Sequence, residues 1–311
     1  MWRAVDPALG FVVLPLEGRV ADDDIARIDL AVFSSDLWRE GRGSPFMRVL
    51  LDAPNAVWLH MFAAGLDDPV FALLGARGLT VTHSAGSSAV PIAHTVMMQL
   101  IAMCRRGRGW QLAQSERRWE QGEVDDVEGR RVTVVGLGAI GTEVARLAQQ
   151  FGMSVTGLRR NPLGDEPCTT LPIQRLHEVL PSTDDLVLTA PLSDETRGLI
   201  GAAELALLPP GARLVNVGRG ELVDEQALID ALRSGHVGSA ALDVFTVEPL
   251  PHDSPLWSMP NVLITPHSSG STDLAERRAA DVFVDNLRRL AAGDPLRNVG
   301  YGTDRPAMRS R

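Results

Sequence analysis

Val132-Thr133-Val134-Val135-Gly136-Leu137-Gly138-Ala139-Ile140-Gly141 decides the fold. Four β-branched residues lead into a Gly-x-Gly-x-x-Gly turn, and an amphipathic helical pattern over 140–151 begins inside it. In that setting each glycine has its own reason. The first permits a tight turn, the second lets backbone approach a pyrophosphate, and the third lets helix and strand pack closely, with the helix N-terminus facing the phosphates. Three glycines alone are a weak signal; the strand before and the helix after give them a mechanism.

Working outward, five further apolar runs follow at 154–158, 186–189, 214–217, 240–245 and 262–265, most of them separated by helical patterns such as 225–234. Continuous apolar strands alternating with helices predict a parallel, doubly wound sheet, and six strands is the dinucleotide-fold number. Upstream, runs at 11–16, 30–33, 56–61 and 79–82 predict a second, smaller α/β layer structure. After the last strand, 272–292 reads as one helix stopped by Gly293, Asp294 and Pro295. It is expected to cross back to the first domain, so the domains are 1–84 with 271–311, and 85–270. The tail beyond Asn298 is expected to fray.

The end of the second cofactor strand selects the dinucleotide, because an acidic residue there would hold an NAD ribose hydroxyl. The segment is Gly157-Leu158-Arg159-Arg160-Asn161, and no Asp or Glu lies between Phe151 and Gly164. Arg159 and Arg160 offer forked donors suited to a 2′-phosphate, so NADPH (NADP) is expected in preference to NAD. The competing reading is two solvated surface arginines.

Ligands of open α/β sheets bind beyond the carboxyl ends of the strands. There, strand 214–217 runs into Gly218-Arg219-Gly220, strand 240–245 into Thr246-Val247-Glu248-Pro249, and strand 262–265 into Pro266-His267-Ser268. An Arg can bind a carboxylate and polarise a carbonyl, a His can supply the proton that accompanies hydride transfer, and a Glu beside the His fixes its tautomer. Singly, each has a bland reading as a loop tether, a cap or a satisfied histidine. Three at successive strand ends predict reduction of a 2-oxo acid.

Composition narrows the classes. All 30 basic residues are Arg; the missing lysines exclude Schiff-base chemistry and a lysine-bearing P-loop. A net charge of −9 argues against a nucleic-acid or anionic-membrane surface. Two distant cysteines, Cys104 and Cys168, predict neither disulfide framework nor zinc site and fit a cytoplasmic setting. No metal-binding His/Cys spacing occurs, and neither a targeting segment nor a membrane span is expected.

These motifs, together with Asn216-Val217-Gly218-Arg219-Gly220-Glu221-Leu222-Val223-Asp224, Leu242-Asp243-Val244-Phe245 and Thr265-Pro266-His267, resemble the D-isomer-specific 2-hydroxyacid dehydrogenases over nearly the whole chain. The resemblance implies a Rossmann domain with a discontinuous flavodoxin-like substrate domain, the active site in the cleft between them, and Arg219, Glu248 and His267 as catalytic residues. It implies a cofactor set of Gly136, Gly138, Ala139, Ile140, Gly141, Arg159, Arg160, Ala190, Pro191, Thr196, Val217, Gly218, Asp243, Ser269 and Gly270, with Asp243 on the nicotinamide amide. Substrate would meet Ala64, Gly65, Arg219 and His267. A homodimer built on the stretch around 91–128 is also implied. Arg159, where many members carry an acidic residue, is similar to the NADPH-using glyoxylate and hydroxypyruvate reductases; Ile92-Ala93-His94 departs from the common Val-Ala-Glu.

Other readings stay open. A phosphoglycerate dehydrogenase usually carries a C-terminal extension that this chain is not expected to have, and formate dehydrogenases pair the His with Gln. A non-enzymatic cofactor-sensing protein of the same fold would bind nucleotide without turnover. His60 and His83, near first-domain strand ends, are read as packing or loop residues ahead of substrate contacts. Trp38, Trp110 and Trp119 are read as core or interface residues.

Overall fold

The computed structural model describes residues 9–307, and the chain divides into two units, Met1–Ser88 with Thr272–Arg311, and Ala89–Ser271. In the second unit the strands are β4 (Arg131–Val135), β5 (Ser154–Arg159), β6 (Thr169–Pro172), β7 (Asp185–Leu188), β8 (Ala212–Asn216), β9 (Val237–Leu242) and β10 (Val262–Ile264). They form one parallel sheet in the order β10-β9-β8-β7-β4-β5-β6. Chain order reverses between β4 and β7, so the glycine turn after β4 lies at the switch point where such sheets bind ligands.

Both faces of this sheet are dry. Leu186, Leu188, Leu214 and Ala240 pack to one side, while their neighbours Val187, Val215 and Ala241 pack to the other. Each fully buried Leu or Val contributes roughly 1.5–3 kcal/mol, and the alternation makes helices on both faces obligatory. The helix Ala139–Gln150 starts at Gly138 and turns Val144, Ala145 and Ala148 onto Ala93, Val96, Met97 and Leu100 of the helix Ala89–Cys104.

The sheet has seven strands where the sequence predicted six. Thr169–Pro172 pairs with β5 from Thr156↔Thr169 to Arg159↔Pro172. It is short and ends in Pro172, which has no N–H to donate; an edge position tolerates that.

The first unit holds β1 (Leu30–Phe33), β2 (Trp58–Met61) and β3 (Thr80–His83) in parallel, with β11 (Val299–Tyr301) antiparallel to β3. The helix Asp273–Ala292 belongs to this unit. Thr272 caps its start by accepting from Ala275 N–H at 3.2 Å, and Gly293 ends it in the left-handed region at φ 73°. Its Phe283 ring stacks on Trp58 with centroids 5.3 Å apart.

Two expectations fail in this unit. Residues 11–16 form no strand: Phe11, Val12, Val13 and Leu16 are exposed, and Arg42 Nη2 donates to the carbonyls of Leu14 and Pro15 at 2.5 and 2.7 Å. Pro15 offers no donor and the guanidinium takes the acceptors, so no ladder can form there. The tail does not fray at Asn298. β11 pairs with β3, and Thr80 Oγ1 donates to the Thr303 carbonyl at 2.7 Å.

Candidate active site

Because every strand of the larger sheet is parallel, all its carboxyl-end loops emerge on one side, and glycines hold those loops against one another. A Cβ at Gly136 would meet Ala190 N at 2.5 Å, one at Gly141 the Gly136 carbonyl at 2.1 Å, and one at Gly218 the Ala190 carbonyl at 2.8 Å. At Gly220 it would meet the Phe245 carbonyl carbon at 2.0 Å. Backbone therefore contacts backbone from the loop after β4 through those after β7 and β8 to the one after β9. A Cβ at Gly138 would meet no protein atom within 4 Å. That bare backbone at a helix N-terminus fits a dinucleotide pyrophosphate.

His267 and Glu248 come together. Glu248 Oε2 lies 2.7 Å from His267 Nδ1, and Glu248 Oε1 accepts from Phe245 N–H at 3.0 Å, so the carboxylate is fixed at both ends. The pair remains accessible, with side chains 52% and 36% exposed. The His267 backbone is left-handed at φ 48°, a strained conformation for a non-glycine residue. Its N–H donates to the Asp243 carbonyl at 2.8 Å. Arg219 is half-buried in the loop after β8; Asn216 Nδ2 donates to its carbonyl at 2.8 Å, and its Nη1 donates to the Gly218 carbonyl at 2.7 Å.

Asp243 has a role that the sequence did not show. It is 1% exposed, and its carboxylate accepts from Thr265 Oγ1 at 2.5 Å, Ser268 N–H at 3.1 Å, Ser269 N–H at 3.2 Å and Ser269 Oγ at 2.5 Å. It clamps the segment carrying His267. Buried Gln99 extends this network, donating through Nε2 to Thr265 Oγ1 at 3.5 Å.

Arg159 and Arg160 lie at the end of β5, each with a carboxylate: Arg159 Nη1 is 3.1 Å from Glu166 Oε1, and Arg160 Nη2 is 2.8 Å from Glu195 Oε2. Glu166 lies beyond the window in which no acid occurs. Of the remaining residues of the expected cofactor set, Ala190, Val217, Thr196 and Ser269 are buried, Ile140 and Gly270 partly so, and Ala139 and Pro191 exposed. Thr196 Oγ1 closes its own loop by donating to the Pro191 carbonyl at 2.8 Å.

In the first unit Ala64 and Gly65 follow β2, and the Ala63 carbonyl accepts from Ser84 N–H at 3.2 Å. His60 is fully buried. Its Nδ1 lies 2.7 Å from Thr82 Oγ1, which also accepts from Trp58 Nε1–H at 2.8 Å, and its Nε2 lies 3.0 Å from Ser84 Oγ. Burial, with His83 nearby, drives its pKa down to about 4; burial also lowers that of His83. Among the described residues no His/Cys/Asp/Glu group could hold a metal, and no helix is long and apolar enough to cross a membrane.

With this geometry in view, residues 97–269 match the family model for the D-isomer specific 2-hydroxyacid dehydrogenase NAD binding domain. The chain is 35% identical to glyoxylate/hydroxypyruvate reductase B of Pectobacterium carotovorum, over 80% of each chain. It is also 35% identical to D-3-phosphoglycerate dehydrogenase of Mycobacterium tuberculosis over 82% of its own length, and spans about half of that relative, 49%. Among solved structures it is similar to the D-isomer specific 2-hydroxyacid dehydrogenase of Xanthobacter autotrophicus in complex with NADPH and MES. The TM-score is 0.80 at 35% identity, covering 96% of this chain and 91% of that one.

Proposed function

The chain belongs to the D-isomer specific 2-hydroxyacid dehydrogenase family, whose members are NAD(P)-dependent oxidoreductases, and from that premise we propose that it reduces glyoxylate or hydroxypyruvate to the D-2-hydroxy acid with NADPH preferred over NADH. The observation that carries this reading is the exposed Glu248–His267 pair at 2.7 Å, one strand away from the loop of Arg219. With Nδ1 engaged by Glu248, His267 has Nε2 free to hand a proton to the substrate oxygen, and Glu248 stabilises the ring while it carries that proton. Arg219 takes the substrate carboxylate through its forked donors. The bare backbone at Gly138 and the helix N-terminus behind it hold the pyrophosphate, with Gly136 and Gly141 shaping the turn, and Arg159 meets the 2′-phosphate. The bound dihydronicotinamide supplies the hydride.

The preference for NADPH is supported by Arg159 in place of an acidic residue at the end of β5, and by the NADPH in the Xanthobacter structure. We assign the protein to the reducing cytoplasm, in keeping with free thiols at Cys104 and Cys168. We also assign it a homodimer through the stretch around 91–128, which exposes Met98, Trp110, Leu112 and Trp119; the side chain of Trp38 lies outside the described residues. Light scattering on the purified chain checks the dimer, and a monomer at micromolar concentration rejects it.

The test of function is nicotinamide absorbance over time with NADPH and NADH in parallel, against glyoxylate, hydroxypyruvate, phosphohydroxypyruvate, pyruvate and bulkier 2-oxo acids. Faster oxidation of NADPH by one of the first two acids is expected. Turnover confined to phosphohydroxypyruvate would replace the substrate assignment, and nucleotide binding without turnover of any acid would make the chain a cofactor-binding protein.

A further inference from the structure

The arginine that faces the glycine turn already has an anion on it. Side chains alternate along a strand, so Arg159 issues on the same face as Gly157, two residues earlier. A Cβ at Gly157 would meet Leu137, inside the glycine turn, at 2.1 Å. Arg160 therefore starts from the opposite face. Arg159 is 26% exposed, whereas Arg160 is 62% exposed and pairs with Glu195, itself 70% exposed. An ion pair as open as that last one is worth little.

Glu166 is a different kind of partner. Its side chain is 5% exposed and all its acceptors are directed. Oε1 accepts from Leu163 N–H at 2.7 Å and from Arg159 Nη1 at 3.1 Å, while Oε2 accepts from Gly164 N–H at 2.8 Å. The N–H groups, Leu163 first, and Arg159 hold the carboxyl below the usual carboxylate range, so it is ionised at neutral pH. It cannot swing away without breaking the turn after β5.

We propose that Glu166 is a specificity-determining residue, a built-in competing anion on Arg159 that weakens the grip on a 2′-phosphate and so limits discrimination between NADPH and NADH. The proposal rests on the reading of Arg159 as the 2′-phosphate residue. A phosphate carrying nearly two negative charges and a carboxylate must share one guanidinium, and their mutual repulsion is subtracted from the binding of the phosphorylated cofactor alone. A ribose hydroxyl carries no charge and loses nothing.

The experiment is calorimetric titration of the whole protein with adenosine 2′,5′-bisphosphate and with 5′-AMP. Glu166→Gln is expected to tighten the bisphosphate by about tenfold at low salt, to leave 5′-AMP unchanged, and to lose part of the gain as salt screens it. Glu195→Gln, with the same change in net charge, is expected to stay within about twofold. In Arg159→Ser the bisphosphate weakens, and Glu166→Gln added to it brings a smaller gain, because only the direct repulsion between carboxylate and phosphate is left to remove. If Glu166→Gln loosens its turn, seen as a lower Tm, Glu166→Asp draws the charge back from Arg159 and is expected to give a smaller gain. Bisphosphate affinity that does not rise in either Glu166 variant, while Arg159→Ser still weakens it, overturns the proposal alone. Affinity indifferent to Arg159→Ser overturns the reading beneath it.

Discussion

Two histidines, one in each unit, have opposite surroundings. His267, after β10, is half exposed, bonded to a carboxylate and held by a strained backbone. His60, on β2, is fully buried, with the hydroxyls of Thr82 and Ser84 at its ring nitrogens and the Ala279 backbone as a further neutral partner. A carboxylate partner and access to solvent let an imidazole carry a proton through a reaction. Burial with neutral partners keeps it uncharged, and the Trp58–Thr82–His60–Ser84 chain ties β2 to β3 and to the segment that follows it. The same residue type is exposed and paired with a carboxylate in one unit, where we propose it acts as an acid, and is a buried fastener in the other; environment alone separates them.

The sharpest way to break this contrast is His267→Ala. Turnover is expected to fall by about 10²–10⁴-fold while NADPH affinity and Tm stay close to those of the parent, read by steady-state kinetics, fluorescence titration and thermal unfolding. Turnover that survives the change removes the proton-donor role.

Acid stability tests the other histidine. His60 has a folded pKa of about 4 against an ordinary 6.5, so between those values the unfolded chain binds the extra proton. Its contribution is intact above about pH 6.5 and drains away as pH falls towards 4, about 3 kcal/mol over the window. Urea unfolding across that range should show the slope, and His60→Gln should flatten it. An unchanged slope in the variant would mean that other groups govern acid unfolding.

A smaller effect is expected where the loops touch. Gly220→Ala sets a Cβ against the Phe245 backbone, at 2.0 Å if nothing moves. A loss of about 1–3 kcal/mol should appear in unfolding, together with reduced turnover, because the displaced loop leads to Glu248. Full activity in this variant would show that the loops after β8 and β9 act independently.

Much of the second unit was legible in the sequence. The glycine turn, the helix Glu225–Ser234 and the Arg, Glu and His after neighbouring strands all depend on local pattern, which a linear reading captures. Legibility failed where pairing is decided at a distance. Thr169–Pro172 and Val299–Tyr301 are strands because β5 and β3 have open edges for them, and residues 11–16 have strand composition yet give the Leu14 and Pro15 carbonyls to Arg42. Glu166 was invisible for the same reason. It sits seven residues beyond Arg159 and returns to it through a turn that only its own contacts create.

By itself, then, the sequence determined the class of sheet, the glycine turn at its switch point and the strand ends that carry Arg219, Glu248 and His267, because strand–turn–helix geometry follows from glycine placement and apolar period. Only the tertiary structure decided which histidine is buried, that the Asp243 carboxylate serves the His267 segment, and that Glu166 returns to Arg159 as a buried carboxylate partner. Burial, pKa and ion pairing depend on what the fold brings within a few ångströms, and no local spacing encodes that.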